Sequence, residues 1–396
     1  MGIRRTYLRI WMFGKNLYIC RKKRKKIIMK KTLPFLLLVT ILLTAVLSPT
    51  DACTSFLLKA KDGSIIYGRT LEWGAFDAKS DLILIPRNFE FTSELGGGIK
   101  GMTWKSKYGF IGINMVNQPF YLDGMNETGL TIGVLFFPEF AKYQPFEKGT
   151  ESVSMSNADL PSYILSNFKT VQEIKEELPK HRVVYNIDIE KLMKTPISLH
   201  YVVTDAEGNS IVIEYVDGKL NIYDNLAGVM TNDPAYDWHV ENLRNYAQLT
   251  PYGDVPGDKK VSGVNFTPFG AGAGLTGLPG DYTPPSRFVR AFIFTQTSVP
   301  LDNAKSAINQ ATRILGNFDI PKGSVREGTP DEFSLGYTQW SVIGDITNKK
   351  YYWWTEWNHQ MSVVDLNTLN FDGEKIVSIP LDRERKENII DRSQDF

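Results

Sequence analysis

The stretch TSFLLKA-KDG-SIIYGRTLEW, residues 54 to 73, is the feature that most constrains the fold. Two apolar runs rich in β-formers flank Asp62-Gly63, a pair that readily takes the positive φ angles of a hairpin turn. The same grammar recurs along the chain. NETGLTIGVLFF (126 to 137) reads as a turn and a buried strand. HYVVTDAEGNSIVIEYVDGKLNIYDN (200 to 225) reads as three strands joined by DAEGN and DGK turns, and TQWSVIGDITNKKYYWWTEW (338 to 357) as another pair. Helical patterns are fewer. Thr170 and Glu173 stand at capping-box spacing, with Pro179 closing that helix. Residues 237 to 249, 286 to 296 and 301 to 318 carry apolar residues at helical spacing. Antiparallel strands with segregated helices predict an α+β fold, two sheets packed between helical layers. No linker or repeat divides residues 53 to 396, which are read as one domain.

That first hairpin starts at Cys53, just after LPFLLLVTILLTAVL, residues 33 to 47. Fifteen apolar residues are short of the roughly 20 that span a bilayer. With Lys30-Lys31 ahead and Thr50 and Ala52 at the minus-three and minus-one positions, residues 29 to 52 read as a signal peptide cut before Cys53. Residues 1 to 28, with the basic block RKKRKK, read as an upstream extension from a misassigned start at Met29. A basic tail or an uncleaved anchor is the alternative. A lipoprotein would also begin at a cysteine, but Asp51 at minus two and the absence of Leu at minus three argue against it. The expected location is periplasmic or secreted, with no membrane attachment after cleavage.

Removing residues 1 to 52 takes away 12 basic residues and one acidic residue, leaving 33 basic against 43 acidic. A net charge moved from +1 to −10 disfavours phosphate-backbone binding, so nucleic acid is excluded as a partner. Cys20 goes with the leader, and Cys53 becomes the only cysteine, with no internal disulfide open to it. As a first residue Cys53 carries thiol and α-amine on one carbon. An amine with an ordinary pKa of about 7.7–8.0 can take the thiol proton, so nucleophile and base arrive together. His181, His200, His239 and His359 show no metal-ligand spacing and read as structural or surface residues. No metal or cofactor is expected.

CTSF (Cys53), GRTLEW (Arg69, Glu72), NETGL, TNDP (Asn232) and LPGDYTPPSRF (Arg287) stand in this order along the chain. Together they resemble the choloylglycine hydrolase family of bile salt hydrolases and penicillin V acylases, over essentially all of residues 53 to 396. The resemblance implies an αββα four-layer N-terminal nucleophile (Ntn) hydrolase that cleaves linear amides through a cysteinyl thioester, and it admits a homotetramer. It implies Cys53 as nucleophile, Arg69 beside the thiol, Glu72 orienting thiol and amine, Asn232 as oxyanion donor, and Arg287 as a second site arginine. Singly, each has a plainer reading: a rim salt bridge for Arg69 and Glu72, a turn for Asn232, a solvated helix start for Arg287.

Two positions depart from the family pattern. Glu72 replaces the usual Asp. Phe136 stands where bile salt hydrolases tend to have Asn and some penicillin acylases Tyr, and it has no side-chain donor. Phe76, Phe136, Phe137 and Phe140 are the expected apolar wall for a small-molecule amide substrate, and Tyr351 to Trp354 with Trp357 read rather as sheet core. The reading favours a penicillin V acylase-like enzyme, with acyl-homoserine lactones as further substrates, over a bile salt hydrolase. A secreted binding protein that kept the fold without activity is a further alternative.

Overall fold

The computed structural model describes residues 52 to 396, except 75 and 254 to 258. The expected extension, the expected signal peptide as far as Asp51, and Cys20 lie outside the described residues. Among those described, no helix is long and apolar enough to cross a membrane.

In chain order the main strands are β1 (Thr54–Lys59), β2 (Ile65–Glu72), β3 (Asp81–Ile85), β4 (Phe110–Met115), β5 (Gln118–Asn126), β6 (Thr131–Phe136) and β7 (Leu199–Thr204). They continue with β8 (Ser210–Val216), β9 (Lys219–Asp224), β10 (Val229–Met230), β11 (Thr338–Asp345), β12 (Lys350–Thr355), β13 (Asn358–Asp365) and β14 (Val377–Pro380). One six-stranded sheet runs β10-β1-β2-β11-β12-β13. The other, eight-stranded, runs β9-β8-β7-β6-β5-β4-β3-β14. The helices are α1 (Leu160–Asn167), α2 (Val171–Glu177), α3 (Ile187–Met193), α4 (Tyr236–Asn242), α5 (Pro284–Gln296) and α6 (Ala304–Leu315). α5 packs on β1 and β10, and α6 on β2 and β11, while α1 packs on β5 and β6 of the other sheet. Helix, sheet, sheet and helix make the four layers of an αββα sandwich.

The hairpin is built as its sequence dictates. Gly63 takes φ +90°, its N–H donates to the Ala60 carbonyl at 3.0 Å, and β1 pairs with β2 from Lys59–Ile65 back to Thr54–Thr70. β2 is buried on both faces, because it lies between β1 and β11 within its sheet and between α6 and the second sheet. Its charged residues Arg69 and Glu72 are therefore fully buried, which is costly unless partners are supplied. The capping box of α2 forms as expected, with Glu173 N–H donating to Thr170 Oγ1 at 3.2 Å. The residues of the long 237 to 249 prediction form α4 only as far as Asn242 and then a 3-10 turn.

Candidate active site

β1 begins one residue after Cys53, so pairing with β2 on one side and β10 on the other holds the cysteine in place. Cys53 is buried, 2% exposed. Its backbone N–H donates to Asn232 Oδ1 at 2.8 Å. Arg69, directed by β2, sets Nη2 3.6 Å from Cys53 Sγ. Arg287, on the first turns of α5, donates through Nη1 to the Cys53 carbonyl (2.5 Å) and Thr54 Oγ1 (2.8 Å), and through Nη2 to Asn232 Oδ1 (2.7 Å). Its Nε donates to the Tyr282 carbonyl at 2.9 Å. Burial lowers the Arg287 pKa to about 10, although Glu72 and Cys53 oppose the shift, so the guanidinium stays charged at neutral pH.

Asn232 follows β10, and its amide is bound on both sides. Oδ1 accepts from Cys53 and Arg287, while Nδ2 donates to the Phe136 carbonyl at 2.8 Å. One Nδ2 hydrogen remains beyond that bond. The expected oxyanion donor is thus also the group that holds the Cys53 nitrogen. Behind it, His239 Nε2 lies 3.0 Å from the Asn232 carbonyl oxygen.

Glu72, at the end of β2, accepts from Thr338 Oγ1 of β11 at 3.0 Å. Burial pushes its carboxyl up to about 7, against the pull of the Arg287 charge. The carboxylate is anchored on the β11 side, to a residue the sequence did not single out.

A cavity of about 790 Å³ opens beside this cluster, within the range of small-ligand sites. Ala52, Asn232 and Arg287 form its inner end, and Phe136, Phe140 and Tyr282 give it apolar wall. Asp233, Glu139, Arg326 and Glu327 also line it. Burial pushes the Asp233 carboxyl up to about 7, with Glu139 and Glu214 adding to the rise. Two expected wall residues are elsewhere. Phe137 is fully buried and stacks on His200 at 4.3 Å, because it follows Phe136 and takes the opposite face of the extended chain. Phe76 packs on Trp73 at 5.4 Å and is not among the lining residues. It reaches the wall only through Trp73, which meets Phe136 edge to face at 5.9 Å. Tyr282, Asp233 and Arg326 had no distinguishing sequence signal, except that Tyr282 and Asp233 sit inside the LPGDYTPPSRF and TNDP motifs. Among the described residues no group of three or more His, Cys, Asp or Glu is placed to hold a metal ion.

The geometry can hold a thiol beside a fixed positive charge and present a backbone nitrogen next to an amide acceptor. Known proteins resemble this chain in sequence and fold. A family model for linear amide C–N hydrolases, choloylglycine hydrolase family, matches residues 53 to 379. A bile salt hydrolase/transferase of Clostridium perfringens is 35% identical over 327 residues, covering 82% of this chain and 95% of that protein. A penicillin V acylase of Pectobacterium atrosepticum is 27% identical over 369 residues, covering 88% and 89%. The crystal structure of a mutant conjugated bile acid hydrolase from Clostridium perfringens superposes with a TM-score of 0.73 at 31% identity, covering 86% of this chain and 99% of that one. The chain belongs to the choloylglycine hydrolase family and is a hydrolase of linear amide C–N bonds.

Proposed function

We propose that the protein is an exported acylase of the penicillin V acylase type, with Cys53 as its N-terminal nucleophile. The observation that carries this reading is the placement of Cys53: Sγ faces Arg69, and its nitrogen is held by Asn232 at the inner end of an apolar cavity. Cleavage after Ala52 turns that nitrogen into an amine. The amine takes the thiol proton, and the thiolate, favoured by the Arg69 charge, attacks the substrate carbonyl. The oxyanion receives the remaining Asn232 hydrogen and a backbone N–H, a contribution of roughly 2.7–4 kcal/mol per donor. The C–N bond breaks as the leaving nitrogen takes the proton from the Cys53 ammonium. Water, deprotonated by the same amine, then hydrolyses the thioester. The leader expectation supports export, and release of residues before Cys53 clears Ala52 from the cavity wall.

Phe136 supports an apolar acyl group. Each CH₂ buried against it contributes about 0.8 kcal/mol, whereas a steroid hydroxyl facing the same ring loses water without gaining a partner. The identity to bile salt hydrolases favours a second reading, cleavage of glycine- and taurine-conjugated bile acids. A panel of phenoxyacetyl amides, acyl-homoserine lactones and both bile acid conjugates separates the two. The first reading predicts higher kcat/KM for the phenoxyacetyl or lactone substrates, and a ratio that Phe136→Asn moves toward bile acids by about tenfold. Faster cleavage of bile acid conjugates by the wild type establishes the second.

A further inference from the structure

Beneath Arg69 lies a buried carboxylate that the chemistry above does not use. Asp123 sits on β5 of the eight-stranded sheet, with no exposed surface. Three groups from the six-stranded sheet converge on it. Tyr67 of β2 donates its hydroxyl to Oδ2 at 2.8 Å, and Tyr351 of β12 donates to Oδ1 at 2.5 Å. Arg69 Nη1 lies 3.5 Å from Oδ2. Asp123 is thus the counter-ion of the arginine that faces the thiol.

The arrangement is specifically accommodated. Gly133 of β6 is the cross-strand partner of Asp123, and a Cβ there would lie 2.1 Å from the Tyr67 hydroxyl. The missing side chain is the opening through which Tyr67 reaches across from the other sheet. Arg69 is otherwise held by carbonyl oxygens, Nη1 by Leu122 (3.1 Å) and Nη2 by Val134 (2.5 Å), and its guanidinium lies 4.9 Å over the Trp340 ring. Orientation of Arg69 therefore survives without Asp123. What Asp123 adds is one negative charge on the side of the guanidinium away from sulfur.

We propose that Asp123 is a positioning residue that, acting through Arg69, sets how strongly the Cys53 thiol is driven toward thiolate. An uncompensated buried arginine would favour the thiolate more, but a thiolate so stabilised is a weaker nucleophile, because nucleophilicity falls with basicity. Asp123 moderates the field and keeps the sulfur reactive. Burial pushes the Asp123 carboxyl up to about 6, while Arg69 and the two tyrosine donors hold it down, so it is ionised at neutral pH. The titratable groups facing it are Arg69, Tyr67 and Tyr351, all from the six-stranded sheet, with Cys53 beyond the arginine and Glu72 also within the field of Arg69.

This inference rests on Cys53 as nucleophile, and the test separates the two claims. Alkylation of Cys53 by iodoacetamide is followed against pH in the active protein, together with kcat/KM. Asp123→Asn keeps the shape and removes the charge, and its alkylation midpoint is expected to move down by about one pH unit. The acid limb of kcat/KM should move with it. Arg69→Gln should move the midpoint up. Asp123→Ser removes the same charge in a smaller side chain and should also move the midpoint down. A merely structural Asp123 would lower the melting temperature and leave the midpoint in place. An unchanged or raised midpoint in folded Asp123→Asn protein overturns the proposal. If that variant does not fold, an unchanged or raised midpoint in Asp123→Ser does the same. Turnover that persists in Cys53→Ala protein overturns the nucleophile reading instead.

Discussion

His239 holds the Asn232 carbonyl at 3.0 Å and stacks on Phe288 at 4.5 Å, fully buried between the active site and α5. Burial pushes its pKa down to about 4 from the usual 6.5, although the Asn232 carbonyl opposes the shift. The folded protein holds the ring neutral, so its stabilising contribution is complete above pH 6.5 and is lost as pH falls toward 4. Glu72 and Asp123 carry the opposite sign, since burial raises their carboxyls and their contribution is lost as pH rises. The histidine is therefore isolated as a difference. Between pH 6.5 and 4 wild type should lose on the order of 3 kcal/mol relative to His239→Gln in urea unfolding. A difference constant across that window contradicts the assignment. Cys53, Arg69, Asn232 and Arg287 stood out in the sequence because each lies in a short motif, and the structure gathers these four into one hydrogen-bonded cluster. Asp123 and His239 did not, since nothing in their sequence neighbourhood marks them, and what each does depends on how the sheets and α5 pack around it. Phe137 was misplaced for a simple reason: neighbouring residues of a strand take opposite faces.

β2 and β6 belong to different sheets, and at Gly133 the Tyr67 hydroxyl of β2 packs against the backbone of β6. Gly133→Ala should cost about 1–3 kcal/mol, because Tyr67 must leave its place or the sheets must part. Removing the hydroxyl relieves the clash, so Tyr67→Phe should recover much of that loss, and denaturant unfolding of the two singles and the double reads the coupling. Equal destabilisation by Gly133→Ala in both backgrounds would show that the glycine serves some other purpose. Elements marked by apolar β-former runs around a turn, or by a capping box, were legible, as β1, β2 and α2 illustrate. α1 was not, because LPSYILS is buried on nearly every side and shows no polar face to reveal a helical period. α3 has only seven residues and one buried position, held at its start by Asn186 accepting from two backbone N–H groups.

The described residues form a sandwich whose two sheets meet at ionised and hydroxylated side chains as well as at an apolar core. Arg69, Tyr67 and Tyr351 from one sheet close on Asp123 from the other, directly behind Cys53. The four-layer plan follows from strand and helix order, and sequence reading reaches it. Pairing order does not follow so simply: β2 lies beside β11, more than 260 residues later, and only tertiary packing decides that. Under the proposed function Cys53, as first residue, carries the acyl group. The direct measurement is the intact mass of active protein, acid-quenched during turnover of a phenoxyacetyl amide and mapped by peptide. The account predicts a chain that starts at Cys53 and carries one acyl group on its sulfur, absent in Cys53→Ala protein. An active chain beginning upstream of Cys53, or an acyl group on any other residue, would contradict it.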